Sequence, residues 1–309
     1  MATTGRGTAE GDGGDATGVR ERLVAVHERL LTAEDDAGRP AGSVRLLLAT
    51  KTVDVAGVRA ALAVAPGLGG RRVVVGENRV QELVAKAPDL SDVTDELHLI
   101  GHLQSNKVNA ALRWATCVQS VDTLDLARRL DLRAAAAGRR LDVLVQVNVS
   151  GEDSKYGVAP DDAVELALAV AALEGLRLRG LMTIGARSPD DAVVRAGFAR
   201  LRELRDAVLA SGAPGTADAT ELSMGMSGDL EVAVAEGSTT VRVGTAVFGG
   251  RPPLLTLPAA RHPVECDVLH PSWRANGGER RTRHVGRQGR LTGPAWFGTL
   301  VPGRGVKAP

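Results

Sequence analysis

Lysine is scarce in this chain, and one lysine stands where it could act as a nucleophile. Only five of the 38 basic residues are lysines, and Lys51 directly follows an apolar run at 46–50 that is typical of a buried strand. An amine whose stem lies in an apolar cavity has a lowered pKa and can form a Schiff base with an aldehyde. Alternatively, Lys51 is an ordinary lysine that extends its ammonium to solvent at the rim of the fold. Position alone leaves both interpretations open.

Two later segments have the composition of a phosphate-binding site. The segment 223–229 reads SMGMSGD and precedes a predicted helix, and the segment 241–245 reads VRVGT and ends a predicted strand. Small residues let backbone N–H groups approach an anion, Ser227 and Thr245 add hydroxyl donors, and the helix directs its positive end toward the charge. Alternatively, Ser227 or Asp229 only caps that helix.

A nucleophilic lysine opposite a phosphate site fits an aldehyde that carries a phosphate, and pyridoxal phosphate is such an aldehyde. Arg242 bears on the chemistry that could follow, because an arginine beside the pyridine nitrogen leaves it unprotonated and the ring a weak electron sink. The alternative role of Arg242 is an ordinary ion pair. Asn78 and His102 follow other predicted strands and could line the ring or close a loop. Tyr156, the only tyrosine, has no feature beyond its position that marks it as a catalytic acid.

The elements that must position these residues alternate along the body of the chain. Eight short apolar runs predict strands at 46–50, 73–76, 97–101, 117–121, 143–149, 178–184, 221–225 and 240–244. Helical spacing predicts an opening helix from about Val19 and further helices at 55–64, 123–137, 163–173, 190–209 and 228–235. Eight such units predict a closed (β/α)8 TIM barrel, whose site lies at the C-terminal ends of the strands. The rival is an open α/β sheet, but the chain lacks G-x-G-x-x-G after its first strand and lacks G-x-x-x-x-G-K-[ST] throughout.

Composition divides the chain into three parts. Residues 1–18 are glycine-rich, and we expect them to be disordered, with the barrel occupying 19–251. Residues 252–309 hold 9 Lys and Arg against 3 Asp and Glu, together with eight of the fourteen prolines, which predicts a basic, disordered C-terminal tail. This tail is either an appendage without a role or an interaction segment. Its possible anchors are Trp273, Trp296 and Phe297.

Several classes of protein and site are disfavoured by composition. A net charge of +1 and only seven aromatic residues argue against a nucleic-acid binder. Cys117 and Cys266 lie far apart and outside any metal-binding motif, so we expect neither a disulfide framework nor a metal site. No signal peptide is evident, and no apolar stretch approaches the roughly 18 residues of a membrane span. We therefore expect a soluble, cytoplasmic protein that binds no membrane.

Seven segments, in order along 19–251, resemble the pyridoxal phosphate homeostasis protein family, which is related to the N-terminal domain of alanine racemase. They are LLLATKTVD, VGENRVQEL, LHLIGHLQSNKVN, VQSVDTLDLA, VLVQVNVSGEDSKYGV, LRGLMTI and LSMGMSGDLEVAVAEGSTTVRVGTAVFG. Val75, Arg79 and Tyr156 depart from the residues common in the family, and the long basic tail is a larger departure. None of these changes touches the lysine or the phosphate positions.

The resemblance implies a single, monomeric barrel of the alanine racemase N-terminal type that carries pyridoxal phosphate as an aldimine of Lys51. It assigns Ser227, Gly244 and Thr245 to the phosphate and Arg242 to the pyridine nitrogen. Together with the strand-end residues considered above, the expected cofactor site consists of Lys51, Asn78, His102, Met226, Ser227, Arg242, Gly244 and Thr245.

The function implied by the resemblance is a carrier or regulator of intracellular vitamin B6, and indirectly of amino-acid and keto-acid pools, with pyridoxal phosphate-dependent apoenzymes as candidate recipients. Robust turnover is not expected, although a racemase-like, pyridoxal phosphate-dependent enzyme is the alternative. Alanine racemase needs a second, β-rich domain and a partner subunit's tyrosine, and nothing after Arg251 resembles that domain. A third hypothesis, from the residues alone, is an aldolase that forms a Schiff base with a phosphorylated sugar and needs no cofactor.

Overall fold

The computed structural model describes residues 13–152 and 154–249, which form a closed barrel of eight parallel strands with helices around it. The strands are β1 (Arg45–Ala49), β2 (Val73–Glu77), β3 (Leu97–Leu99), β4 (Cys117–Val121), β5 (Leu141–Gln146), β6 (Leu176–Met182), β7 (Glu221–Ser223) and β8 (Thr240–Val243). Each strand pairs with the next along the chain, and β8 closes the barrel by pairing with β1, where Leu47 lies opposite Arg242. The predicted (β/α)8 barrel is confirmed.

Every predicted strand is present, but several end earlier than their apolar runs. β5 and β6 end at Gln146 and Met182, whereas the runs continue to 149 and 184. Val147 and Thr183 are each only 1% exposed, although they lie outside the strands. Val147 N still donates to Met182 O at 2.8 Å and Thr183 N to Ser223 O at 3.0 Å, so burial and backbone bonding both continue beyond the ends of the strands.

The described ranges contain nine α-helices. They are α1 (Gly13–Asp36), α2 (Val55–Val64), α3 (Val80–Lys86), α4 (Val108–Ala111), α5 (Leu124–Ala136), α6 (Ala163–Ala171), α7 (Asp191–Ala210), α8 (Leu230–Ala235) and α9 (Thr245–Phe248). The predicted helices correspond to α1, α2, α5, α6, α7 and α8. The three that sequence analysis missed, α3, α4 and α9, have four to seven residues, which is too short to show a helical period.

The opening helix is longer than its apolar face suggests. It begins at Gly13, so the last six residues of the segment 1–18, expected to be disordered, are helical instead. Once a helix is nucleated by packing, here of Val19 and Leu23, adding further turns costs little. Residues 1–12 and the predicted tail at 252–309, with Cys266 and the tail aromatics, lie outside the described residues.

The strands have two differently packed faces. Leu46 and Leu48 of β1 pack in a cluster with α1, whereas Leu47 packs inside the barrel with Val74 and Ile100. This alternation with period two is the pleat of a β-strand. The helices therefore cover one face of each strand, and the other face lines the interior that leads to the site.

Charged side chains fill the N-terminal end of the barrel interior, here called the closed end and made of Arg45, Asp142, Arg177, Arg179 and Glu221. Glu221 accepts from Arg45 and from Arg179, each at 3.2 Å, and Asp142 accepts from Arg177 at 2.5 Å. The side chains of Arg45 and Glu221 are only 15% and 11% exposed. Each of these charges is therefore balanced by the opposite charge beside it rather than by water.

One ion pair is wholly buried where α1 meets the barrel. Glu34 accepts from Arg71 at 2.8 and 2.9 Å and from the backbone N–H groups of Val44 and Gly42 at 2.7 and 2.9 Å. Neither the Glu34 nor the Arg71 side chain has any exposed surface. Burial alone would raise the pKa of Glu34, but the hydrogen bonds from Arg71, Val44 and Gly42 outweigh it and lower that pKa.

Candidate functional site

Lys51 lies in the turn between β1 and α2, at the open, C-terminal end of the barrel. Val53 N donates to Thr50 O at 3.0 Å across this turn, and Thr52 has a φ of 64°, the one positive value at a non-glycine residue within 13–152 and 154–249. Such backbone strain is concentrated at functional sites. The Lys51 side chain is exposed rather than desolvated, and no other described residue is its hydrogen-bond or ion-pair partner. Its amine is therefore free to meet a ligand.

A buried polar cluster holds the end of β1 just before Lys51. The buried Thr50 hydroxyl donates to Glu77 Oε1 at 2.6 Å, and Lys86 Nζ donates to Thr50 O at 2.8 Å and to Glu77 Oε1 at 2.7 Å. Burial raises the pKa of Glu77, against the opposing effect of Lys86 and Thr50. Sequence analysis did not assign this role to Lys86, whose ammonium is committed to the scaffold while that of Lys51 is not.

Hydroxyl groups from two loops meet where β7 and β8 end. The Thr245 hydroxyl donates to Ser227 Oγ at 3.3 Å, and Ala246 N donates to the same oxygen at 3.3 Å. The Ser227 hydroxyl proton thus remains available. Neither Ser227 nor Asp229 caps α8 through its side chain, because the helix starts at Leu230 and Asp229 accepts from Met226 N at 2.5 Å instead. The capping alternative therefore does not account for these residues.

Arg242 is buried inside the barrel, on the inner face of β8. Its guanidinium donates to Ser223 Oγ at 2.8 Å and to Thr183 O at 2.6 Å, and both acceptors are neutral. Within the described ranges it forms no ion pair, so the ordinary ion-pair alternative does not hold there. Burial lowers the pKa of Arg242 to about 10, with Asp229 opposing the shift, and the group stays cationic at neutral pH.

The loops that follow β2 and β3 touch through their backbones. A Cβ at Gly101 would lie 2.1 Å from Asn78 O, so only glycine permits this approach. Together these loops line a cavity of about 450 Å³ whose walls include Asn78 and His102. Both residues thus lie at the mouth, as predicted.

Tyr156, for which sequence analysis found no role, stacks on His102. The ring centroids are 3.9 Å apart and the planes lie within 11° of parallel. His102 Nδ1 also lies 3.7 Å from Asp122 Oδ2. The stack joins the loops after β3 and β5. This contact could not be predicted from sequence, because 54 positions separate the two rings.

We expect replacement of Tyr156 by alanine to lower the free energy of unfolding by about 0.5–1.5 kcal/mol, the worth of an aromatic pair. Urea denaturation measures this loss. The matched control is Leu132→Ala, which removes a side chain that is 68% exposed on α5 and should change stability little. A double variant with His102→Ala should lose less than the sum of the two single losses. Strict additivity would show that the stack contributes nothing.

The eight predicted site residues follow or end five consecutive strands of the closed barrel: β7, β8, β1, β2 and β3. Gly244 lies close to the end of β1, because a Cβ there would lie 3.0 Å from Ala49 O, two residues before Lys51. The turn that holds Lys51 thus lies between the loops after β7 and β8, which carry the Ser227 and Thr245 hydroxyls, and the cavity lined by Asn78 and His102. The fold gathers the predicted set on one arc of the mouth.

Sequence comparison assigns this barrel to a family. The family model for the alanine racemase N-terminal domain matches residues 39–252. Pyridoxal phosphate homeostasis proteins from Pseudomonas aeruginosa and Aquifex aeolicus are 44% and 41% identical to the chain, covering 75% of it and 96% and 97% of those proteins. The chain belongs to the pyridoxal phosphate homeostasis protein family. The family predicted from the seven segments is confirmed.

Solved structures place this family member among similar barrels. A protein from Bifidobacterium adolescentis described as unknown is 44% identical, with a TM-score of 0.71, over 78% of this chain and 98% of that one. PipY of Synechococcus elongatus, solved with pyridoxal phosphate bound, is 35% identical, with a TM-score of 0.62, over 75% of this chain and 100% of that one. Alanine racemase from Corynebacterium glutamicum, at 17% identity and a TM-score of 0.52, shares the fold alone.

Two kinds of feature are absent from the described part of this family member. Across residues 13–152 and 154–249, no helix has the length and apolar character needed to cross a membrane. The same residues contain no group of three or more His, Cys, Asp or Glu side chains placed to hold a metal ion. Cys117 is a free, buried thiol whose pKa is raised by burial, with Glu221 and Asp142 nearby, so it is not a nucleophile.

Proposed function

We propose that this protein binds pyridoxal 5'-phosphate as a Schiff base on Lys51 and serves as an intracellular, cytoplasmic carrier that holds and releases the cofactor. Through the vitamin B6 pool it would act indirectly on amino-acid and keto-acid balance. Its family membership and the pyridoxal phosphate found in PipY support the choice of cofactor. The observation that carries the proposal is the exposed, unpartnered amine of Lys51 beside the loops of β7 and β8.

The residues where β7 and β8 end fit a phosphate group. The Ser227 hydroxyl proton has no acceptor among the described residues, and the Thr245 hydroxyl, 3.3 Å from Ser227 Oγ, can turn its proton from Ser227 to a ligand, so two donors can converge on one anion. Gly244 leaves open the space between these donors and β1 that a Cβ would crowd. Met226 is 39% exposed on the same loop and can cover the ligand.

Arg242 fits a neutral acceptor such as a pyridine nitrogen. A guanidinium has five N–H donors, of which two are bonded within the chain, and none of its nitrogens is buried without a partner. The remaining N–H groups can therefore donate to a ligand in the mouth. Because Arg242 remains cationic, it disfavours protonation of that nitrogen.

The bound cofactor would supply an aldehyde to the amine and an electron-withdrawing ring, while the chain's own residues bind and orient it. Asn78 and His102 would line the ring from the other side of Lys51. An accessible lysine at an open mouth suits exchange of the cofactor better than it suits chemistry that must exclude water. We propose that the protein acts as a monomer, since one chain supplies all the proposed contacts, and that it delivers the cofactor to pyridoxal phosphate-dependent apoenzymes.

The test is to add pyridoxal phosphate to the purified protein and record its visible absorption before and after borohydride reduction. We expect a visible band that borohydride removes, with the cofactor mass fixed to the peptide that contains Lys51. Transfer of the cofactor from the unreduced protein to an apo-aminotransferase, followed by the aminotransferase's own activity, tests the carrier role. A protein that takes up no pyridoxal phosphate would refute the proposal.

The remaining outcomes separate the alternatives. Sustained racemisation of an amino acid by the wild type, lost in Lys51→Ala, would replace the carrier with the racemase-like enzyme. A colourless protein that borohydride traps only in the presence of a phosphorylated sugar would indicate the cofactor-free aldolase.

A further inference from the structure

A continuous chain of hydrogen bonds leads away from Arg242 across the interior of the barrel. Arg242 Nη1 donates to Ser223 Oγ at 2.8 Å, Ser223 Oγ donates to Gln119 Oε1 at 2.7 Å, and Gln119 Nε2 lies 2.8 Å from His98 Nδ1. His98 Nε2 then lies 2.9 Å from Glu96 Oε1. We call these five side chains the interior relay. It links β8, β7, β4 and β3 through four consecutive bonds.

The interior relay ends at the opposite end of the barrel from the mouth. Glu96 directly precedes β3 and accepts from Arg72 Nη2 at 2.5 Å, and the Arg72 side chain is 61% exposed. Burial alone would raise the pKa of Glu96, but the hydrogen bonds from His98 and Arg72 lower it to about 2. Glu96 therefore remains a carboxylate, and thus an acceptor, across the physiological range.

The interior part of the relay is almost wholly removed from water. Ser223 and Gln119 are 0% exposed, His98 is 2% exposed and Arg242 is 5% exposed. Uncompensated polar groups at such depth cost several kcal/mol each, so aliphatic side chains are the usual filling of a barrel interior. A fully bonded polar chain in this place is rigid, because losing any one link leaves a buried group unsatisfied.

The relay has a direction in this structure. A guanidinium can only donate, so the Ser223 hydroxyl accepts from Arg242 and gives its proton to Gln119 Oε1. With the Gln119 amide oriented in this way, its nitrogen donates to His98 Nδ1, and His98 Nε2 is the ring nitrogen that donates to Glu96 Oε1.

We propose that Gln119 and His98 are positioning residues that fix the orientation of the Arg242 guanidinium toward the pyridine nitrogen of the bound cofactor. This rests on the proposed function. Arg242 has no carboxylate to orient it within the described ranges, and its side-chain acceptor is the hydroxyl of Ser223. A hydroxyl rotates freely unless its own proton is held, and Gln119 holds it. The backbone oxygen of Thr183 holds Nη2 at 2.6 Å, and the hold on Nη1 depends through Ser223 on Gln119, a residue that lies outside the cofactor site.

The test compares wild type with Gln119→Leu, which removes both amide bonds, and Gln119→Glu, which keeps the side-chain shape. Nitrogen NMR of the cofactor-free protein reports the His98 tautomer and the mobility of the Arg242 side chain. We expect a fixed Nε2–H tautomer and a rigid Arg242 in wild type, and loss of both in Gln119→Leu. In Gln119→Glu the carboxylate cannot donate to His98 Nδ1, so a bond there requires that nitrogen to be the donor, and the ring-nitrogen signals of His98 should change.

Cofactor titration supplies the second readout. Gln119→Leu should shift the absorption maximum of the bound cofactor and weaken its binding about tenfold, as expected for one disturbed hydrogen bond to a charged group. Gln146→Leu is the matched control, because Gln146 is also a buried interior glutamine but bonds to Tyr156 O, outside the relay. Gln146→Leu should leave the NMR signals of the Arg242 side chain unchanged.

Two results would overturn the inference and are distinct from failure of the proposed function. The first is an unchanged His98 tautomer and a still rigid Arg242 in both Gln119 variants. The second is an unchanged absorption maximum and affinity in Gln119→Leu when wild type binds the cofactor normally. If wild type takes up no cofactor, the proposed function and the positioning role both fail, while the NMR result still decides whether Gln119 orients Arg242.

Discussion

Lys51→Ala should leave no cofactor covalently bound after pyridoxal phosphate and borohydride are added. The variant removes an exposed amine that has no hydrogen-bond or ion-pair partner among the described residues. The fold should therefore be unchanged, and only the covalent attachment should be lost. Mass spectrometry of the intact protein and of its peptides measures the loss, and urea denaturation confirms that stability is retained.

Lys107→Ala is the matched control for this experiment. Lys107 lines the cavity at the same open end of the barrel, and it too is a lysine without a described partner. It lies in the 3₁₀ turn Ser105–Lys107 after β3 rather than at the end of β1, so its loss should leave attachment intact. Equal attachment to Lys51→Ala and wild type would show that the cofactor reacts with lysines unselectively.

Glu34→Leu should lower the free energy of unfolding by about 3–5 kcal/mol, the cost of leaving one member of a buried ion pair without its partner. Arg71 would keep its charge at 0% exposure, and the N–H groups of Gly42 and Val44 would lose their acceptor. Urea denaturation monitored by circular dichroism measures the change. A loss below about 1 kcal/mol would mean that water reaches the pair in solution.

Two further variants test whether the lost stability comes from leaving one charge without its partner and from the burial of the pair. Glu34→Leu combined with Arg71→Leu should recover part of the lost stability, because no uncompensated charge remains. Glu231→Gln breaks a pair with Arg29 in which the side chains are 51% and 39% exposed, and it should cost less than about 1 kcal/mol.

The stability of the Glu34 pair should also depend on pH. Because the folded-state pKa of Glu34 lies below its ordinary value of 4.5, its contribution is complete above that value. The contribution is lost as pH falls through the lower, folded-state pKa. Wild type should therefore lose stability in acid more steeply than Glu34→Leu, as measured by urea midpoints between neutral and acidic pH.

The architecture could be predicted from sequence because the strands lie in short, largely apolar runs that alternate with helical segments. Such runs separated by helices specify a parallel sheet, and eight of them specify closure. Strand ends were less predictable, since Val147 and Thr183 are buried without belonging to a strand. Short helices such as α9 contain too few residues to show a helical period. The start of α1 at Gly13 lies before Val19, the first residue of its apolar face, so the apolar pattern does not predict it.

The site was predictable where a single position carries the signal. Lys51 stands out in a lysine-poor chain, and Ser227 and Thr245 lie in short segments of unusual composition. The exposure of Lys51 was not predictable, because the turn that lifts it out of the interior depends on Thr52 and on its bond to Glu82. Contacts between distant positions, such as that of Gln119 with Ser223, arise only when the barrel closes.

The charged closed end has a consequence for how a ligand comes and goes. Arg45, Glu221 and their partners occupy the interior at that end, so among residues 13–152 and 154–249 they block that end to a ligand and leave the mouth beside Lys51 as the entrance. Whatever enters there must leave by the same route. In the proposed carrier, loading and delivery would therefore use the same opening and would follow one another. Throughput would be set by how quickly the mouth clears, with a capacity of one cofactor for each chain.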